Sequence, residues 1–207
     1  MLFRSWQNLI LSDVREAEVA DTIAEIEALG LLTSASAIRG GLVACTGNVG
    51  CKFALADTKR HALAIADYLD PRVALDQPIN IHLTGCPNSC AQHYVGDIGL
   101  VATKVDDGGE AEVEGYHLIV GGGSGADLSL GREIARDIPA DAVPRHLETL
   151  LRGFLARRDA GESFHAFANR HTVDELASLL SGASDRGRLA RNAAGTAAVQ
   201  RDGGAPA

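Results

Sequence analysis

No apolar run in the chain approaches the ~18 residues that a helical membrane span requires. Basic residues are also in short supply: 19 Lys and Arg stand against 27 Asp and Glu, for a formal net charge of −8. That balance argues against a phosphate backbone as the main partner, so nucleic acid is not expected. Ordinary surface solubility accounts for it. The opening residues lack the marks of an export signal, because acids follow a short apolar stretch and no small-residue cleavage site appears; a cytoplasmic location is expected. Tandem repeats are missing, as are the residue orders of a Ser/His/Asp hydrolase, an HExxH metallopeptidase and a P-loop. Cysteine is scarce, with four in 207 residues. An even count would suggest disulfides in a secreted mini-protein, but a chain that is 46% hydrophobic can build a core without staples. Metal or redox chemistry is favoured instead.

What is present reads as one domain with appendages. Residues 2–11 are apolar enough for a short strand, and Ser12 or Asp13 is placed to cap the helix that follows. Val19, Ile23 and Ile26 share a face of that helix, and Gly30 marks its end. Leu42, Val43 and Ala44 form an apolar lead into the first cysteine pair. An Ala-rich helix is predicted over 52–69, ended by Asp70 and Pro71. Ile79, Ile81 and Leu83 alternate with Asn80, His82 and Thr84, the pattern of a half-buried strand, which runs straight into Gly85 and Cys86. Strands are predicted over 98–103 and 116–120, separated by the turn-forming stretch 106–109. Asp141 is placed to cap a helix carrying Val143, Leu147, Leu150, Leu151, Phe154 and Leu155. The stretch 163–180 reads as helix re-capped at Thr172, with Glu175 completing a capping box. Apolar periodicity stops at Ser181, and residues 181–207 are predicted to be a disordered tail. The expected fold is α+β, a mixed or antiparallel sheet covered by helices on one side.

The cysteines fall into two pairs: Cys45 and Cys51 in a C-x5-C arrangement, and Cys86 and Cys90 in a C-x3-C arrangement. Iron–sulfur clusters want four converging thiolates, with backbone N–H groups nearby to stabilise the added negative charge. Gly47, Gly50 and Gly85 let backbone approach closely, while Pro87 stiffens the second loop. A four-cysteine zinc site is the alternative; its usual spacing of two to four residues within a pair fits C-x3-C but not C-x5-C. Two pairs of unliganded thiols remain a third reading.

The text around these pairs resembles the signature of the sirohaem-containing nitrite and sulfite reductases. The match runs from Ala44 through Cys45 and Cys51 to Ala54, and from Thr84 through Cys86 and Cys90 to Gln92. The stretches 6–9, 56–59, 92–99 and 121–125 look like the ferredoxin-type nitrite reductase branch, so the resemblance covers roughly residues 2–180. It implies that Cys45, Cys51, Cys86 and Cys90 bind a [4Fe-4S] cluster and that Cys90 also bridges to the iron of sirohaem. It further implies that Gln7, Asn8, Asn88, Gln92, Gly122 and Gly123 contact the cofactors. Electrons would come from ferredoxin or another donor, and the substrate would be nitrite or, second, sulfite. Family members have two homologous halves, and the Arg and Lys side chains around substrate come largely from the first. This chain looks like the second half alone, with residues 1–35 as part of a ferredoxin-like lobe and 36–180 as the cluster and sirohaem domain. No catalytic side chain is therefore assigned within it, and a separate chain would have to supply the missing half. Leu2 and Arg4 occupy places where relatives carry Arg and Thr, which removes a bidentate partner for a polycarboxylate cofactor. Two other readings stay open: a truncated, catalytically incomplete iron–sulfur remnant, and a protein like precorrin-3B synthase, which shares the cysteine pattern.

Weaker candidates complete the survey. Gly121, Gly123 and Ala126 fit a loose dinucleotide fingerprint, but the expected βαβ context is not evident. His82 and His93 flank the second cysteine pair, where a hydrogen-bonding role outweighs that of a proton donor. Lys52, Lys59 and Arg60 open a helix beside the first pair and offer either charge compensation or a solvated face.

Overall fold

A computed structural model describes residues 2–3, 9–109 and 111–180. The tail predicted over 181–207 lies outside the described residues, as do Gln7 and Asn8. The chain opens with two short antiparallel strands, β1 (Leu2–Phe3) and β2 (Leu9–Ile10), rather than one strand over 2–11. A 3₁₀ turn leads into α1 (Val19–Ala28), which Gly30 follows in a left-handed conformation. Neither Ser12 nor Asp13 caps it. Among the described residues its apolar face stays largely open: Val19 and Ile23 are 41% and 40% exposed.

The main body is α+β, as expected. Its sheet runs in sequence order: β3 (Leu42–Ala44), β4 (Ile81–Thr84), β5 (Ile98–Val105), β6 (Val113–Val120) and β7 (Arg132–Pro139). The first three are parallel and the last three antiparallel. The strands are followed or linked by α2 (Thr58–Leu69), α3 (Val143–Arg157), α4 (Phe164–Arg170) and α5 (Val173–Leu180). Register places Leu83, Leu100 and Leu118 in one row, beside the row of Ile81, Ile98 and Val120. These side chains form one core with Ile65, Leu69, Leu147, Leu151 and Leu176 from the helices. Among the described residues no helix is long and apolar enough to cross a membrane.

Four local expectations change. The helix predicted from Lys52 starts at Thr58, because Asp57 caps it there by accepting the Arg60 N–H at 3.2 Å, and the residues before it belong to the cysteine loop. Strand β4 is buried on both faces rather than half-buried, with His82 and Thr84 as enclosed as Ile81 and Leu83. Its second face is covered by the chain that follows it: a Cβ at Gly99 would strike the His93 carbonyl, and one at Gly96 would lie 2.9 Å from the His82 ring. Helix α3 starts at Val143 without a side-chain cap, so Asp141 does not serve there. Strand β7 was not anticipated. It is bulged against β6, and Asp137 has φ +53°, so its buried Ile134, Ala135 and Ile138 break the alternation that marks a strand in sequence. The capping box is present: Thr172 N–H donates to Glu175 Oε2 at 2.7 Å and Glu175 N–H to Thr172 Oγ1 at 3.3 Å.

Candidate metal centre

Strands β3 and β4 are parallel neighbours, so their C-terminal ends lie on one edge of the sheet. Cys45 directly follows β3, and Gly85 and Cys86 directly follow β4. The ladder continues into the loops through Cys45 N–H donating to the Leu83 carbonyl at 3.0 Å. Beyond that point Gly85 joins the two loops. Its N–H donates to Cys45 Sγ at 3.1 Å, and its carbonyl accepts the Leu55 N–H at 2.7 Å. A Cβ at position 85 would lie 2.6 Å from that of Ala54 and 3.3 Å from the Cys45 sulfur, so the approach depends on glycine.

The first loop coils tightly around Gly47, whose carbonyl accepts the Cys51 N–H at 2.9 Å, and closes where Asn48 N–H meets the Ala56 carbonyl at 3.0 Å. Thr58, the first residue of α2, donates to the Cys45 carbonyl at 2.8 Å and stands 3.6 Å from its sulfur. The partial positive charge of that helix N-terminus therefore sits beside a thiol. Lys59 Nζ reaches the Ala44 carbonyl at 3.4 Å. Arg60 pairs instead with Asp57 and Glu114, and Lys52 lies over the Phe53 ring.

In the second loop, Ser89 and Gln92 bracket Cys90 at φ +56° and +54°. Non-glycine residues in this region cost of order 1–3 kcal/mol each and persist where neighbours hold them. The neighbours here are two histidines. His93 Nδ1 lies 2.9 Å from Ser89 Oγ, and His82 Nδ1 lies 3.1 Å from the Gln92 carbonyl. Burial lowers the pKa of both, and their roles are those of hydrogen-bonding groups inside the fold. Cys86 is buried, Cys45 and Cys51 are half-buried, and Cys90 is exposed, beside the exposed Asn88 and Gln92.

The glycine loop packs beside this region. Gly131 N–H donates to the Tyr94 carbonyl at 2.8 Å and Gly121 N–H to the Asp97 carbonyl at 2.9 Å. A Cβ at Gly122 would lie 2.5 Å from the Gly96 carbonyl, and one at Gly123 would lie 2.7 Å from the His165 ring. The chain's own packing thus demands glycine at both positions. Ser129 holds the loop, donating to the Gly121 carbonyl at 2.7 Å and meeting His165 Nε2 at 2.8 Å.

All four cysteines are free thiols, carried by two loops that the sheet and Gly85 hold at one edge. Among the described residues no three His, Cys, Asp or Glu side chains close on a single ion. A set of thiols with backbone N–H at sulfur suits a multi-iron cluster, which spreads its ligands further apart. Sequence reasoning missed Thr58, Asn48, Glu114 and His61, because their contacts join elements far apart in the chain.

Residues 36–185 match the family model described as the nitrite and sulphite reductase 4Fe-4S domain. The chain belongs to this family. It is 38% identical over 180 residues to "Sulfite reductase [ferredoxin] 2" of Mycolicibacterium paratuberculosis, covering 84% of this chain and 32% of that protein. It is 39% identical over 145 residues to a ferredoxin–nitrite reductase of Synechococcus elongatus, covering 70% of this chain and 28% of that protein. The solved structure of the Mycobacterium tuberculosis NirA protein superposes with a TM-score of 0.76 at 34% identity, over 83% of this chain and 32% of that one. A dissimilatory sulfite reductase, DsrI, shares the fold at a TM-score of 0.62 and 16% identity, over 79% of this chain and 57% of that one. The chain therefore spans about a third of the length of the curated relatives it matches. The resemblance carried by the cysteine pairs is borne out, and a 4Fe-4S domain is what the family implies.

Proposed function

We propose that this chain is the cluster-binding part of a reductase that takes nitrite or sulfite through a six-electron reduction. Cys45, Cys51, Cys86 and Cys90 would hold a [4Fe-4S] cluster, and Cys90, the exposed thiol, would also be the one offered to a sirohaem. When bound, the two groups supply stepwise electron transfer and an open iron coordination position for the oxyanion. The observation that carries the reading is the joining of two cysteine loops at the C-terminal edge of β3 and β4, with Gly85 N–H donating to Cys45 Sγ. The chain's own residues set the environment. Gly85 N–H and the N-terminus of α2 stabilise negative charge at Cys45, and His82, His93 and Ser89 hold the strained turns around Cys90.

The names of the relatives support ferredoxin as electron donor and leave both substrates in view. The exposed Asn88 and Gln92 and the Gly122–Gly123 turn are the described residues offered to sirohaem; Gln7 and Asn8, outside the described residues, complete the proposed set. No substrate-gripping cation is assigned within this chain.

Anaerobically prepared protein is expected to carry about four irons and about four labile sulfides per chain, as one cubane cluster requires. Stoichiometric zinc without sulfide overturns the cluster. Ammonia formed from nitrite, or sulfide from sulfite, once the portion of the relatives that this chain does not span and reduced ferredoxin are supplied, supports the reductase, and no product from either substrate overturns it.

A further inference from the structure

The first cysteine loop is gripped by a carboxylate from a distant strand. Glu114, near the start of β6, divides its two oxygens between two points of that loop: Oε1 accepts from Asn48 Nδ2 at 2.6 Å, and Oε2 accepts the Asp57 N–H at 3.1 Å. Asn48 lies midway between Cys45 and Cys51, and Asp57 is the residue that caps α2. One side chain therefore ties the apex of the loop to its point of return.

The carboxylate is itself held in place. Arg60 lies 3.7 Å from Oε2, and Lys104 faces Glu114 across the β5–β6 ladder. Arg60 can only donate, so its 3.0 Å contact makes His61 Nε2 the acceptor and leaves Nδ1–H to donate to the Tyr116 hydroxyl at 2.9 Å. Tyr116 is fully enclosed. Burial raises the Glu114 carboxyl, but hydrogen bonds from the Asp57 N–H and the Asn48 amide, together with nearby positive charge, leave its pKa below the ordinary value. A carboxylate accepting two N–H bonds makes a stronger tie than a neutral acceptor.

We propose that Glu114 is a positioning residue for the cluster: through Asn48 and Asp57 it fixes the loop that presents Cys45 and Cys51. This rests on the cluster-binding reading above.

The test is the rate at which anaerobically prepared protein releases iron to an excess of a ferrous chelator, with the midpoint potential of the cluster as a second readout. Loss of a charge-assisted hydrogen bond should speed iron release by about tenfold in E114A and in N48A. The double variant should be no faster than the faster single one, because both remove one shared interaction. E114Q, which keeps one acceptor, should fall between E114A and the wild type, and removal of the negative charge should move the potential in the positive direction. E148A, which loses a carboxylate bound to Tyr68 and Arg152 elsewhere, should release iron at the wild-type rate. If E114A does not fold, N48A on the exposed loop decides. Wild-type protein that takes up cluster while N48A and E114Q release iron at its rate overturns the proposal alone, as does an additive double variant. Wild-type protein that takes up no iron overturns the cluster reading and this proposal with it.

Discussion

Gly85 joins the two cysteine loops at three points. Its N–H reaches a sulfur, its carbonyl anchors Leu55, and the place of its missing side chain is filled by Ala54 and Cys45. Gly85→Ala should therefore push the two loops apart, since the backbone on both sides is hydrogen-bonded and cannot yield freely. Overpacking of this kind costs typically about 1–3 kcal/mol. The expected outcome is a modest fall in the melting temperature of the metal-free chain with a much larger fall in iron and sulfide per chain. Equal iron content in variant and wild type would show that the loops do not need this approach. The cysteines and this glycine are legible in sequence, because a ligand must be a particular residue type. Glu114 is not, because an acid facing an amide 66 positions away leaves no local pattern.

At the scale of elements, α3 shows its apolar period in sequence and the core uses it, whereas α1 shows one and leaves Val19 and Ile23 exposed. Helix α4 sits in an aromatic group: the Phe167 ring lies 5.2 Å from Phe154 and 4.3 Å from His171, and its side chain is fully enclosed. Phe167→Ala should cost about 3–5 kcal/mol by leaving a cavity between α3 and α4. Urea unfolding of the metal-free chain should show a clearly lower midpoint at unchanged slope, and a shift of a few tenths of a molar or less would mean the group collapses around the gap. Strand β7 shows the opposite case. A bulge shifts its register and a left-handed Asp137 turns its backbone, so its buried residues follow no fixed period. The start of α2 was likewise hidden, because an Ala-rich run looks helical throughout and only the bonds of Leu55 and Asp57 show where the loop ends.

For the whole molecule, the buried His61 and His82 and the half-buried His93 shape the response to pH. Burial lowers the pKa of His61, His82 and His93, so the unfolded chain binds protons that the folded chain resists. Stability is then fully present above the ordinary histidine pKa of about 6.5 and falls as pH drops through that value and towards the folded values. Asp97 acts in the opposite sense, since burial raises its carboxyl and it gains on acidification. The metal-free chain should melt at a lower temperature at about pH 5 than at about pH 7.5, the three histidines outweighing the single carboxyl. A melting temperature that is flat or rising towards acid would show that these rings charge without cost.

The sequence by itself determined the α+β composition, the helix faces, the capping box at Thr172 and the two cysteine pairs that are the candidate ligands, all of which follow from residue type and short-range period. Only the tertiary structure decided that β3 and β4 lie parallel and side by side, and it is that pairing which turns two separate cysteine pairs into one edge. It also decided that the chain after β4 folds back over His82, burying a strand whose alternation promised one open face. Both depend on contacts between segments distant in the chain, where backbone hydrogen bonding and packing choose partners without leaving a mark in any short stretch of sequence.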